Sequence, residues 1–455
     1  AVGDGHTSLW NNQGNTMPGL PLALQIVEES LLVVAVPQEE QRPLIGASLL
    51  GVEGVPYQEL VDRQMNLDGY DNPYQNLVHL QRSLGGNLRG LVPEWSGKDV
   101  VAVAVLLGTG ESREFKIDVP ASWREWPKSW VAHESRMAIP DTERAPQAFA
   151  FIDPERTTAV LRIDSMMGYR EAFEIWASYG GARESAAREL YRRYHERPAP
   201  KDYNKVSAGL PSATELMRDL VKQMRRAKTQ TLVVDLRRNG GGNSFMVEII
   251  VYFLYGSDAV WHYDQGYQIR RYSSLFFQER SATSLDEINE GRDIPLRIGD
   301  YDFSQELKHG VDVDVPSDFR AEMLEELEDI PTFAEEVRGG RYDGAYKPPR
   351  VVVLTSSETY SAGFDLAATL RELGAEVVGN PSSQAGNCFI DTLSFELQHS
   401  GIDGGLSYKR SLMFPDDPEL GWVMPPDRVL TLELFKAYDF DPNAALLLAL
   451  DIPPR

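Results

Sequence analysis

One cysteine, Cys388, stands in a chain of 455 residues. No disulfide can form within the chain, and a zinc site needing two or more of its own thiolates is excluded. Long apolar runs are missing. Val100–Leu107 and Ala444–Leu450 are among the longest, far below the roughly 18 residues that cross a membrane as a helix. Positive charge is in short supply: 45 Lys and Arg face 68 Asp and Glu, a net charge of −23. That disfavours a nucleic acid or an anionic membrane surface as partner. No repeat or low-complexity tract is visible. No two histidines sit at metal-ligand spacing, so neither a metal nor a cofactor is expected. No signal peptide is legible, and the chain opens on Ala1-Val2-Gly3 without Met, so its natural start is expected upstream.

What remains is a globular composition, 42% hydrophobic and 25% charged, long enough for more than one domain. Residues 1–20 are rich in Gly and Asn and read as a loop. From 21 to about 120 the pattern is mostly strand. Leu22, Leu24 and Ile26 alternate, Leu31–Val36 is a short apolar run, and two runs over Ile45–Pro56 join through Glu53-Gly54 as a hairpin. Val100–Leu107 and Glu114–Val119 form a second hairpin. Residues 121–148, with several Trp and Pro, read as a linker. From 149 to 455 strands alternate with helices: Thr158–Ile163, a helix from Ser212, Thr231–Asp235, a helix over Ser244–Tyr255, Arg350–Thr355 and a helix over Ala362–Leu373. That order predicts a mixed α/β domain whose strands are joined by crossovers. Ser212 and Glu215 have the spacing of a capping box. Residues 275–347 are long and acidic, and read as a solvated helical insertion or as a lid.

Four stretches carry candidate chemistry. Asp235-Leu-Arg237-Arg-Asn239-Gly240-Gly241-Gly242 follows a buried strand; its glycines let backbone N–H groups turn toward a ligand or an oxyanion. It is neither a Walker loop nor Gly-x-Gly-x-x-Gly. Ser361 follows the strand Arg350–Thr355 at the start of a helix, where a hydroxyl lies beside free N–H groups; a plain N-cap is the alternative. Asp4-Gly5-His6-Thr7 places a histidine in a loop. Glu419-Leu-Gly421-Trp-Val-Met-Pro-Pro-Asp427 lies near the C-terminus.

Taken in chain order, these stretches resemble peptidase family S41, the C-terminal processing proteases and the tricorn core protease. The family pattern is a Gly-His-Thr-like loop, a PDZ-like module, Asp-x-Arg-x-Asn-x-Gly-Gly, a Ser-Ala nucleophile turn and a final Gly-Val-x-Pro-Asp-like segment. The resemblance implies a crossover α/β serine-peptidase core, of ClpP/crotonase-like type, with a small PDZ-like β-rich module before it. It implies Ser361 as nucleophile, with Ala362 N–H and a glycine N–H from Gly240 or Gly241 as oxyanion hole. The processing branch uses a Lys base about 25 residues after the serine, but this chain has Gln384-Ala-Gly-Asn387 there. An amide cannot take the serine proton, so the His-based branch applies. His6 is the expected base and Glu419 the orienting carboxylate, with Asp416 and Asp417 as rivals.

In this scheme Asp235 and Arg237 hold the glycine loop, and Asn387 either supports the serine loop or only fills space. Cys388 is expected to be buried, with no histidine near it in sequence. The implied reaction is peptide hydrolysis through an acyl-enzyme, of the endopeptidase or carboxyl-terminal-processing type, with a peptide or protein as substrate and an extracytoplasmic location. The same residues leave open a binding protein on this fold, an esterase or a peptide cyclase. Because His6 lies so near the start, the triad is expected to form only if its loop docks on the catalytic domain.

Overall fold

The computed structural model describes residues 3–454 except 11–18, 96, 121–124, 127–128, 179–182, 262–265, 281–282 and 304–317. Parts of the expected loop over 1–20, linker over 121–148 and insertion over 275–347 therefore lie outside the described residues.

A six-stranded sheet forms the centre. Its order is Arg428–Val429, Glu376–Gly379, Arg350–Thr355, Thr231–Asp235, Thr158–Ile163, Gln147–Phe151. All neighbours are parallel except the last pair. The inner strands are β-branched runs because both faces are covered. Alternate residues part to opposite sides: Leu232, Val234, Val351 and Val353 enter one core, Val233, Val352 and Leu354 the other. Helices Ala213–Ala227, Phe245–Tyr255 and Ala362–Glu372 cover the first face. Leu432–Ala437 and Ala444–Ala449 cover the second. The mixed α/β architecture is the one the strand–helix alternation predicts.

A second, antiparallel sheet runs Ala23–Val27, Ser30–Val36, Ser48–Val52, Val100–Leu106, Ser112–Asp118. Helices Tyr57–Met65 and Pro73–Gly86 pack on it. Its Val27 and Leu32 join the core on the second face of the central sheet, which fixes the two sheets against each other. Within the stretch expected as linker, Val131–Ala132 is a strand that pairs with Ser30–Val36.

A third sheet reaches back to the start of the chain. Ser8–Trp10 pairs with Asp403–Leu412, which also pairs with Asn387–Glu396 and Tyr267–Arg271. Gly404 leaves room there for the ends of two side chains: a Cβ would meet Phe395 Cζ at 2.5 Å and Leu9 Cδ2 at 2.8 Å, so both would have to shift. Within the stretch expected as a loop, Ser8–Trp10 is thus a docked strand. The acidic insertion also departs from expectation. Its helix Pro331–Gly339 puts Phe333 and Val337 fully into the main core, so this half is core structure and not a solvated excursion. Among the described residues no helix is long and apolar enough to cross a membrane.

Helix Ala213–Ala227 starts differently from the expected capping box. Ser212 Oγ accepts the Glu215 N–H, but the buried Glu171 carboxylate supplies the second acceptor group. It takes Ser212 Oγ–H at 2.6 Å, Ala213 N–H at 3.1 Å and Thr214 N–H at 3.0 Å. Glu215 instead pairs with Arg170. Glu171→Ala strands buried donors at about 1–3 kcal/mol each. It is expected to destabilise the fold by about 3 kcal/mol or more, read as a lower urea midpoint.

Candidate active site

Ser361 stands at the carboxyl end of the strand Arg350–Thr355, on the turn into helix Ala362–Glu372. Its backbone is in the left-handed half of φ space, φ 52° and ψ −132°. A non-glycine residue there costs on the order of 1–3 kcal/mol and is held by its surroundings. Those surroundings are visible. The Tyr360 N–H donates to Asn239 O at 2.9 Å, and the Ser361 N–H donates to Gln384 Oε1 at 2.7 Å. The glycine loop leaves the neighbouring strand, Thr231–Asp235, at the same end of the sheet, so the two turns face each other as parallel topology requires. At Gly241, φ +94°, a Cβ would lie 2.5 Å from Ser361 Cβ. Only glycine lets the loop come this close.

His6 is fixed by an Asp-centred turn. Asp4 Oδ1 accepts the N–H groups of His6 and Thr7 at 3.1 and 3.0 Å and the Ser407 hydroxyl at 2.9 Å. Gly5 N–H donates to Asp71 Oδ1 at 2.7 Å, and Gln75 Nε2 donates to Gly5 O at 3.1 Å. The imidazole stacks on the Tyr360 ring, centroids 4.9 Å apart. Its Nδ1 lies 3.0 Å from the Tyr360 oxygen, which in turn donates to Asp71 Oδ2 at 3.0 Å. An ionised carboxylate only accepts, so the phenol proton points to Asp71 and the phenol oxygen takes Nδ1–H. Assigned in this way from the network, Nε2 keeps its lone pair. Burial, and next the Asp71 charge, push the Tyr360 phenol well up, so it stays a donor. Burial raises the Asp71 carboxyl above its ordinary range, while His6, the Gly5 N–H and the Tyr360 hydroxyl pull it back.

Ser361 and His6 line one cleft of about 570 Å³, together with Gly242, Gln384, Cys388 and Lys409. A hydroxyl on a strained strand–helix turn and an imidazole with a free Nε2 therefore face the same space. Lys409 Nζ is paired with Asp391 at 2.5 Å.

Residues 201–402 match the sequence model of peptidase family S41. The match covers less than half of the chain, and over that stretch the chain is similar to this family. No curated protein matches the chain by sequence. Among solved structures, mature CPAF is 13% identical with a TM-score of 0.52, over 99% of this chain and 84% of that one. Mature CPAF complexed with lactacystin is 13% identical at 0.50, over 98% and 86%. The photosystem II D1 C-terminal processing protease is 12% identical at 0.37, over 95% and 79%. At 13% identity the likeness to the two CPAF structures is one of fold.

The fold places the sequence-derived residues unequally. Ser361 and His6 share the cleft. Glu419 does not join them: it is exposed on the helix Pro418–Trp422, Asp417 caps that helix through Leu420 N–H, and Asp416 is also exposed. The carboxylate beside His6 is Asp71, 3.8 Å from Nδ1. Of the glycines, Gly241 has its N–H taken by Asn239 Oδ1 at 2.8 Å, and Gly240 lines a different cavity. The glycine of this loop that borders the Ser361 cleft is Gly242. Neither its N–H nor that of Ala362 donates to a described acceptor.

Asn387 is not a support of the serine loop. Its amide is used twice by the Phe414 backbone, at 2.9 Å each way. Arg237 donates to both oxygens of Asp235 and also reaches Pro442 O and Asn443 Oδ1, which ties the glycine loop to the C-terminal segment. Burial alone would raise the Asp235 carboxyl, but the Arg237 charge and hydrogen bonds hold it below its ordinary range. Cys388 is buried, as expected, yet the fold brings His6 to it. Sequence reasoning missed Asp71, Tyr360, Gln384 and Gly242. Tyr360 adjoins Ser361 and Gln384 lies in the segment compared with the Lys branch. Asp71 carries no local signal, because only the packing of helix Pro73–Gly86 brings it to residue 6.

Proposed function

We propose that this S41 serine peptidase cleaves peptide bonds through an acyl-enzyme on Ser361, with His6 as general base. The carrying observation is the common cleft of Ser361 and His6, with the His6 Nδ1 side already committed to Tyr360 and Asp71. In this reading His6 Nε2 takes the Ser361 proton as Oγ attacks the scissile carbonyl, then returns it to the leaving amine. Ala362 and Gly242 N–H groups receive the oxyanion. Tyr360 holds the imidazole tautomer, and Asp71 steadies the imidazolium that forms. The antiparallel sheet of residues 23–118 is read as the PDZ-like module, and an extracytoplasmic place of action belongs to the same proposal. The substrate is a peptide or protein strand; the polar cleft lining, including Arg183, Asp365 and Gln268, gives no reason to prefer a hydrophobic ligand.

Labelling with a fluorophosphonate tests this. The wild type is expected to be modified at Ser361 alone, located by mass spectrometry, and His6→Ala is expected to abolish the modification. A folded protein left unlabelled at Ser361 would overturn the reading.

A further inference from the structure

We propose that His6, Asp71 and Cys388 form a zinc-binding site that reversibly switches the enzyme off. The inhibitory part of this rests on His6 being the general base; the metal site itself does not. One ligand atom from each residue lies within 4.8 Å of the others, and His6 Nδ1 is 3.8 Å from Asp71 Oδ2. They come from three separate elements: the opening loop, the residue before the N-cap of helix Pro73–Gly86, and the strand Asn387–Glu396. Imidazole, carboxylate and thiolate are each established zinc ligands, with bonds of about 2.0–2.3 Å. Tetrahedral bonds of that length separate neighbouring ligands by roughly 3.3–3.5 Å, so closure asks for movement of at most about 1.5 Å.

The surroundings suit such an ion. Cys388 is 4% exposed, and its thiol is in no disulfide. It nevertheless lines the cleft, as does His6, whose side chain is 16% exposed, so an ion has an entry path. On binding, the Sγ–H bond breaks, an Sγ–Zn bond forms and the proton leaves to solvent, with no change of oxidation state. One carboxylate and one thiolate then neutralise the dication, so the buried centre carries no net charge. Open coordination remains for water or for the Tyr360 oxygen. Ligation removes the base in either orientation. A metal on Nε2 occupies the lone pair, and a metal on Nδ1 forces the proton onto Nε2. A ring bound through Nδ1 also loses its hydrogen bond with Tyr360.

Cobalt is the probe of choice, because Cys388 is the chain's one cysteine and any thiolate-to-cobalt charge-transfer band must come from it. The full chain is expected to bind one Co²⁺ with that band. Cys388→Ser should lose the band and weaken Zn²⁺ binding in calorimetry at least about tenfold, and Asp71→Asn should weaken it similarly. Circular dichroism of both variants checks that they are folded. Absence of the band in the wild type, or unchanged Zn²⁺ affinity in folded Cys388→Ser, would overturn the site and assign the ion to surface carboxylates. Fluorophosphonate labelling keeps the two proposals apart. Metal-free wild type is expected to label, and Zn²⁺ to block labelling until a chelator removes it. A protein that shows the band when loaded with Co²⁺ but never labels when metal-free keeps the metal site and loses the peptidase reading. One that labels metal-free without ever showing the band does the reverse, and labelling unaffected by bound Zn²⁺ overturns the switch.

Discussion

Ser361→Ala is expected to lower kcat/KM on a cleaved peptide by about 10⁴–10⁶-fold, and His6→Ala by a similar factor. The two residues act as a unit: without the imidazole the hydroxyl keeps its proton, and without the hydroxyl the imidazole has nothing to activate. The double variant should therefore be no slower than either single one. What activity is left comes from binding and the oxyanion donors. Steady-state kinetics on the three variants, each checked for folding by circular dichroism, decides this. A His6→Ala enzyme close to wild type would point to another base in the cleft, of which Lys409 is the obvious one, released from Asp391.

Asp71→Asn carries the second large effect, a fall of about 10²–10⁴-fold in kcat with KM little changed. The amide can offer an N–H to the Tyr360 oxygen, which then has no need to accept from Nδ1. The ring is free to take the tautomer with hydrogen on Nε2, in which it cannot act as base. Tyr360→Phe breaks the same link by removing the oxygen between Nδ1 and Asp71. Both losses should ease as the pH rises, if added hydroxide substitutes for the general base. Glu419→Gln is the contrast: its side chain is exposed and does not line the cleft shared by His6 and Ser361, so activity should be unchanged. If Glu419→Gln were as damaging as Asp71→Asn, the orienting role of Asp71 would be wrong.

The contrast between Asp71 and Glu419 marks where sequence reading stops. The turn that carries Ser361 was legible because strand, turn and helix are contiguous, and a short apolar run before a helical pattern predicts where a turn will lie; the role proposed for Ser361 rests on the ordered family pattern. His6 was legible only through its place in an ordered family pattern. Docking of its loop depends on a strand pairing, Ser8 with Gly405, that no local signal announces. Glu419 was chosen on chain order within a segment whose register against the pattern is loose. Gly241 was chosen for its position in the glycine run, but its N–H is already used by Asn239. Asn387 was chosen by alignment with a Lys, yet its amide closes the turn at Phe414.

By itself the sequence determined the alternating strands and helices, and the turns at the carboxyl ends of Thr231–Asp235 and Arg350–Thr355, the second of which leads to Ser361. Those follow from local propensity and hydrophobic period, which act within a few residues. The tertiary structure decided the partners of His6: Asp71, Tyr360 and Cys388 lie 65, 354 and 382 positions away in the chain. Such contacts are set by how three sheets pack, and a buried carboxylate or thiol gains its role only from the groups that packing places beside it.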